Sequence, residues 1–174
     1  MTERAAAPRP PLSAPPRTEV FTTALLGMAV DAGEMNLDDP IVRYLPPGVA
    51  LRPGALRSTA RDMARFAAAS LGEASLDGVP IPARVRAGIA LAQRPVFRMP
   101  DDVLFQALAW MVRPFRAEED DPLRIVFKDG GTAGFSAWVG VNPGKRFGVV
   151  LLMNTSRQHP GRAGSEMIGH AAAR

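Results

Sequence analysis

Apolar positions recur at helical spacing from residue 20 onward, where Phe21, Ala24, Leu25, Met28 and Ala29 form one stripe and Leu26 and Val30 fill its gaps. That pattern predicts a helix over 20–32, apolar around most of its circumference and so buried on several sides, with Gly33 as its C-cap. A polar turn, residues 36–40 (NLDDP), follows; then comes the apolar stretch 41–45, stopped by Pro46, Pro47 and Gly48. Met63, Phe66, Ala67 and Leu71 mark a second helix over 59–71, with Ser58 and Thr59 as cap candidates, Asp62 in its first turn and Gly72 at its end. Val85, Ile89 and Ala92 carry a weaker helical pattern over 83–93.

The period changes in the last third of the chain. Residues 104–112, 124–128, 136–141 and 147–153 are short apolar or alternating runs bounded by Pro, Gly and Asp, and each predicts a strand. The turn Asn142-Pro143-Gly144-Lys145 makes the last two an antiparallel hairpin. Gly130, Gly131 and Gly134 are not followed by a helix-capping Gly-Lys-Ser/Thr, so they predict a bulged strand open to close backbone approach and not a phosphate loop. A closing helix is expected over 164–172, and Trp110 and Trp138 are expected in the core. No internal repeat is evident.

Composition narrows the chemistry. Residues 1–19, with Pro8, Pro10, Pro11, Pro15 and Pro16, can sustain neither helix nor paired strand and are expected to form a disordered or extended tail ahead of a domain at 20–174. With no Cys, disulfides and thiol chemistry are excluded, and the two histidines, His159 and His170, have no ligand-spaced partners; they read as surface residues, and neither metal nor cofactor is expected. The net charge is +4, but the basic residues are scattered singly, nearly all Arg, with Lys only at 128 and 145; no nucleic-acid partner is expected. There is no uninterrupted apolar run of membrane-spanning length, and prolines stand where a secretory signal needs an apolar stretch, so neither a span nor an export signal is expected.

Three stretches, in order, resemble the class C β-lactamase and D-alanyl-D-alanine carboxypeptidase group of serine hydrolases. Residues 20–27 (VFTTALLG) with 33–46 (GEMNLDDPIVRYLP) are similar to the family's nucleophile-bearing helix and the segment after it. Residues 52–66 (RPGALRSTARDMARF) are similar to one of its helix starts. Lys128, Asp129, Gly130, Gly131 and Thr132, with Asn142, Pro143 and the run 149–154, resemble its Lys-Thr-Gly strand, hairpin and partner strand, while 106–110 (QALAW) is similar to another of its strands. Asp129 and Gly131 resemble the carboxypeptidase/endopeptidase branch more than strict β-lactamases.

The resemblance implies an α/β (α+β) sandwich, a β-lactamase-like antiparallel sheet flanked by helices, with part of the sheet and most of the helical region missing. It implies three or four C-terminal strands, and, since missing strands leave an edge and missing helices leave apolar surface, marginal stability or self-association. It also implies acyl-enzyme hydrolysis of β-lactams or D-Ala-D-Ala peptides, a peptidoglycan-like ligand, and an exported enzyme of the cell envelope. Lys128, Asp129, Gly130, Gly131 and Thr132 are then the substrate-binding strand.

Such chemistry needs a serine activated by a lysine one helical turn on, and a second motif, Tyr-x-Asn, to move the proton. In the family register Pro16 stands at the serine position and Glu19 at the lysine position, no Ser-x-x-Lys occurs anywhere, and the single tyrosine, Tyr44, is followed by Leu45-Pro46. No catalytic residue is therefore identifiable in this chain, and an inactive β-lactamase relative is expected, with a non-catalytic ligand- or partner-binding remnant of the fold as the alternative.

Overall fold

The structure is a computed structural model, and it describes residues 18–40, 43–44, 58–100, 103–114, 124–132 and 134–172. The proline-rich residues 1–17, most of the stretch 41–57 and the family's serine position at Pro16 lie outside the described residues. Four helices are described: α1 (Thr18–Asp31), α2 (Ala60–Ser70), α3 (Ala83–Ala92) and α4 (Gly161–Ala172). Two short strands, β1 (Ser75–Leu76) and β2 (Val79–Pro80), form a separate hairpin. Six strands make one wholly antiparallel sheet: β3 (Phe97–Arg98), β4 (Phe105–Gln106), β5 (Met111–Arg113), β6 (Ile125–Thr132), β7 (Phe135–Asn142) and β8 (Phe147–Met153), in the order β3-β4-β5-β6-β7-β8.

Sheet and helices form the expected α+β sandwich. Alternation along β6 and β7 divides the core in two. Val126, Val139 and Val141 face α1 and α2, packing with Val20, Met63, Ala67 and Trp110. Phe127, Ile125 and Trp138 point the other way, toward Ile168 of α4. Both tryptophans are in the core as expected, Trp110 at 0% exposure and Trp138 at 1%.

Several sequence expectations change in detail. The run 104–112 is two strands and not one. The chain reverses between β4 and β5, with Ala109 at a φ of 60°, and the side chain of Gln106 holds the reversal by donating to the carbonyls of Ala107 (2.8 Å) and Trp110 (3.0 Å). With β3 added, the sheet has six strands where three or four were expected. The glycines of β6 produce no bulge: pairing with β7 runs unbroken from Val126↔Val141 to Thr132↔Phe135. Gly131 instead permits close approach, because a Cβ there would lie 2.9 Å from the Phe135 carbonyl oxygen. α4 starts at Gly161, earlier than 164, its first turn closed by the Gly164 amide donating to the Pro160 carbonyl at 2.9 Å.

The β1–β2 hairpin was not expected, although Asp77-Gly78 between Leu76 and Val79 supplies two consecutive positive φ angles, 50° and 80°, as a tight hairpin turn requires. Arg65 of α2 bonds Asp77 through Nη2 at 2.6 Å and through Nε at 3.0 Å. That contact holds the Asp77 carboxyl below its ordinary value, chiefly by the side-chain hydrogen bond. A lowered carboxyl pKa means the tether is present at neutral pH and is lost as pH falls through the lowered value. Both groups are solvent-exposed, so its weight is small.

Thr59 caps α2 as expected, its hydroxyl oxygen accepting from the Asp62 amide at 3.1 Å. α1 and α3 cross where two glycines meet; a Cβ on Gly27 would lie 2.3 Å from the Gly88 carbonyl oxygen. On the opposite layer the Trp138 indole fills the space that side chains at Gly140 and Gly164 would occupy, with built Cβ atoms falling 2.1 Å and 2.4 Å from its ring.

Two substitutions separate close packing from glycine's backbone freedom. Gly164→Ala is expected to destabilise the protein by about 1–3 kcal/mol, because a buried indole cannot yield. Gly169→Ala, one turn on and with nothing within 4 Å of the new Cβ, is expected to be neutral or stabilising. Chemical denaturation of both variants reads the difference.

Candidate ligand strand on β6

β6 is longer than the strand on its β5 side. β5 pairs only Ile125, Val126 and Phe127, whereas β7 pairs β6 as far as Thr132. From Lys128 to Thr132, therefore, one side of β6 is fixed to β7, and no described strand pairs the other. The reversal at Ala109 turns the chain away just before Met111 and frees this edge. Alternate backbone N–H and C=O groups there are available to an extended ligand, as in β-strand addition.

Parity decides which side chains face which way. Residues directly opposite in an antiparallel pair share a face. Lys128 is opposite Val139 and lies on the α1/α2 face; Asp129 is opposite Trp138 and lies on the α4 face. Their charged ends still approach, Lys128 Nζ lying 3.9 Å from Asp129 Oδ1. The lysine side chain is 20% exposed and the aspartate 45%, so the contact is a screened one that a stronger anion can displace. Gly130 and Gly131 add no side chains to the strand between Asp129 and Thr132.

The α1/α2 face is also where α1 begins. Val20, in its first turn, is fully buried in the cluster that holds Val126, Val139 and Trp110. A ladder of rings fixes the helix there: Phe21 lies 4.1 Å from Phe66 of α2, and Phe66 stacks on Trp110 at 6.1 Å. The structure thus brings the start of α1, with Glu19 in its first turn, to the sheet face that carries Lys128. Two threonines follow: Thr23 donates to the Val20 carbonyl within the helix, while Thr22 is exposed on it.

Other candidate residues are structural. The Tyr44 hydroxyl bonds the Asp39 carboxylate and accepts from the Asn36 amide at 3.1 Å, so it locks the turn after α1. Ser136, buried in β7, donates to carbonyls of Thr155 (2.8 Å) and Gln158 (2.9 Å), tying down the loop into α4. His159 and His170 are exposed, the latter near the Glu166 carbonyl at 3.2 Å. Among the described residues no cluster of His, Asp or Glu could hold a metal ion, and no helix is long and apolar enough to cross a membrane.

A family model described as Beta-lactamase matches residues 47–173. Among curated proteins, a beta-lactamase from Lysobacter lactamgenus is 29% identical over 147 residues, covering 66% of this chain and 36% of its own length. A class C beta-lactamase mutant superposes with a TM-score of 0.56 at 18% identity, covering 88% of this chain and 56% of that one. The class C beta lactamase from Rhodobacter sphaeroides gives 0.55 at 19% identity, with 88% and 58% covered. The solved structures establish the fold, and the chain spans just over half of their length and about a third of the curated relative's.

The ring ladder makes its own prediction. Phe66→Ala is expected to cost about 3 kcal/mol and to raise amide exchange along α1 more than along β6–β8, whereas Phe66→Leu should recover much of the loss. Residue-resolved hydrogen exchange distinguishes the two.

Proposed function

The chain belongs to the beta-lactamase family, and we propose that it is a serine-hydrolase relative that binds the family's carboxylate-bearing ligands along β6 without acylating them. The observation that carries this reading is the strand from Lys128 to Thr132, paired on one side and, among the described residues, unpaired on the other, with its only amine on the face where α1 begins.

The ligand chemistry follows from those groups. A β-lactam or a D-Ala-D-Ala peptide presents an anionic carboxylate and an amide within a few atoms of each other. The Lys128 ammonium takes the carboxylate, displacing the Asp129 contact at 3.9 Å. The open edge of β6 takes the amide by main-chain hydrogen bonds, and the missing side chains at Gly130 and Gly131 let the ligand approach the backbone. Asp129, whose Cβ points to the α4 face, tunes this by competing for Lys128. The Asp129 and Gly131 variant favours peptide ligands of the carboxypeptidase type over bicyclic β-lactams.

Turnover needs more than this strand supplies. Acyl transfer requires a hydroxyl deprotonated by a partner base, and members of such a set act only together. With no Ser-x-x-Lys in the sequence, Pro16 at the family's serine position and Glu19 at its lysine position, the start of α1 offers a carboxylate where the family has an amine, and the serine position offers no hydroxyl for it to activate. Binding is then the retained part of an ancestral hydrolase.

Titration with benzylpenicillin and with a D-Ala-D-Ala dipeptide, followed by amide chemical shifts, tests this. Shifts are expected at residues 128–132, with tenfold or weaker binding in Lys128→Met, since a charge-assisted hydrogen bond contributes roughly 1.5–3 kcal/mol. Asp129→Asn should bind more tightly than the parent. Equal affinity in the parent and Lys128→Met would contradict the proposal.

A further inference from the structure

β8 is the last strand of the sheet: β7 pairs it along its full length, and among the described residues nothing pairs its other side. The opposite edge of the sheet, β3, is two residues long and carries Arg98. β8 has no such protection. Its seven residues, FGVVLLM, contain no charge and no proline, and its register with β7 shows no bulge. An edge of this kind is a template for another strand.

Two cavities show that the template is also a trough. One, of about 540 Å³, is lined by the consecutive residues Val150, Leu151, Leu152 and Met153, with Ala60 at the start of α2 and Pro160 ahead of α4. Neighbouring side chains on a strand point to opposite faces, so four in succession can line one space only if it runs along the strand's side. The second, of about 280 Å³, continues from the shared residues Ala60 and Val150 toward Gly148, walled by Ala64, Ala67 and Ala68 of α2. On the α2 side this part of the trough is walled mostly by alanines.

We propose that a second copy of this chain fills the trough, the two β8 strands pairing antiparallel across a two-fold axis at Val150. In that register Val149 faces Leu151, Gly148 faces Leu152 and Phe147 faces Met153, so directly opposed residues share a face and every pair is apolar or glycine. Arg146 falls opposite Asn154, so no like charges meet. The contact is isologous, uses one patch twice and closes at two copies. The chain's own segments fit less well: residues 1–17 carry Pro8, Pro10, Pro11, Pro15 and Pro16, and 45–57 carry Pro46, Pro47 and Pro53, each lacking the N–H a paired strand donates. Neither offers seven consecutive apolar residues to match β8. β8 is separated from the ligand strand by β7, so this pairing stands or falls independently of ligand binding.

Analytical ultracentrifugation of the whole chain is expected to give twice the monomer mass at tens of micromolar. Val150→Lys and Val150→Glu should each sediment as folded monomers, because the two-fold axis sets like charges face to face, and a one-to-one mixture of them should recover the dimer. In the parent, amide protection along residues 148–152 should rise with protein concentration. A monomeric parent, a Val150→Lys dimer as stable as the parent's, or a mixture that stays monomeric would overturn the proposal. So would protection of β8 that is independent of concentration, which would place a segment of the same chain in the trough. If either variant unfolds, the parent's concentration-dependent protection decides the matter alone.

Discussion

The Trp138 indole, seated against Gly140 of its own strand and Gly164 of α4, is the contact on which the rest of this structure depends. It occupies the volume of two absent side chains and stacks on Phe127 with ring centroids 6.0 Å apart. Those contacts hold α4 on one face of the sheet and fix the register of β6 against β7. Because Asp129 is paired with Trp138, the same register determines that Lys128 emerges on the other face, toward α1 and α2. A slip of one residue would exchange the two, presenting the acid where the amine now stands. Packing on the α4 side is thus what sets the charge presented on the α1/α2 face.

The remaining geometry follows from unequal strand lengths. β5 begins only at Met111 because the chain reverses at Ala109, and β6 runs on to Thr132 because β7 supports it. Among the described residues, the stretch Lys128–Thr132 and the outer side of β8 are two unpaired borders of one sheet, and they differ in chemistry. The first carries an ammonium, a carboxylate and two glycines, suited to a small polar ligand with an extended backbone. The second is apolar throughout and suited to another strand. The chain spans just over half the length of the solved structures whose fold it shares.

Much of this was legible in the sequence where one force dominates. The apolar stripe of α2 and the cap at Thr59 depend on local spacing and appear as expected, whereas α1, expected to be buried on several sides, is only partly covered and leaves Leu25 65% exposed. The Lys128–Thr132 strand was found by its order relative to two other motifs, since a lysine at a strand end has no distinctive signal by itself. The reversal inside 104–112 was missed because its cause, a positive φ at Ala109 supported by the Gln106 amide, lies in a residue with no turn preference. The β1–β2 hairpin was missed although Asp77-Gly78 announces it, because its two-residue strands are too short to show a period. The bulge expected from Gly130 and Gly131 did not form: the ladder continues past both, and Gly131 serves close approach to the Phe135 carbonyl. That Lys128 and Asp129 lie on opposite faces, yet within reach of each other, required the sheet.

The central claim is that this chain keeps the ligand strand of a serine hydrolase and lacks its nucleophile. Intact-protein mass spectrometry after prolonged incubation with benzylpenicillin, and separately with a fluorophosphonate, tests it most directly. The denatured mass is predicted to remain that of the unmodified chain, while native-state spectra show reversible penicillin adducts. A covalent adduct mapping to any serine would contradict the account.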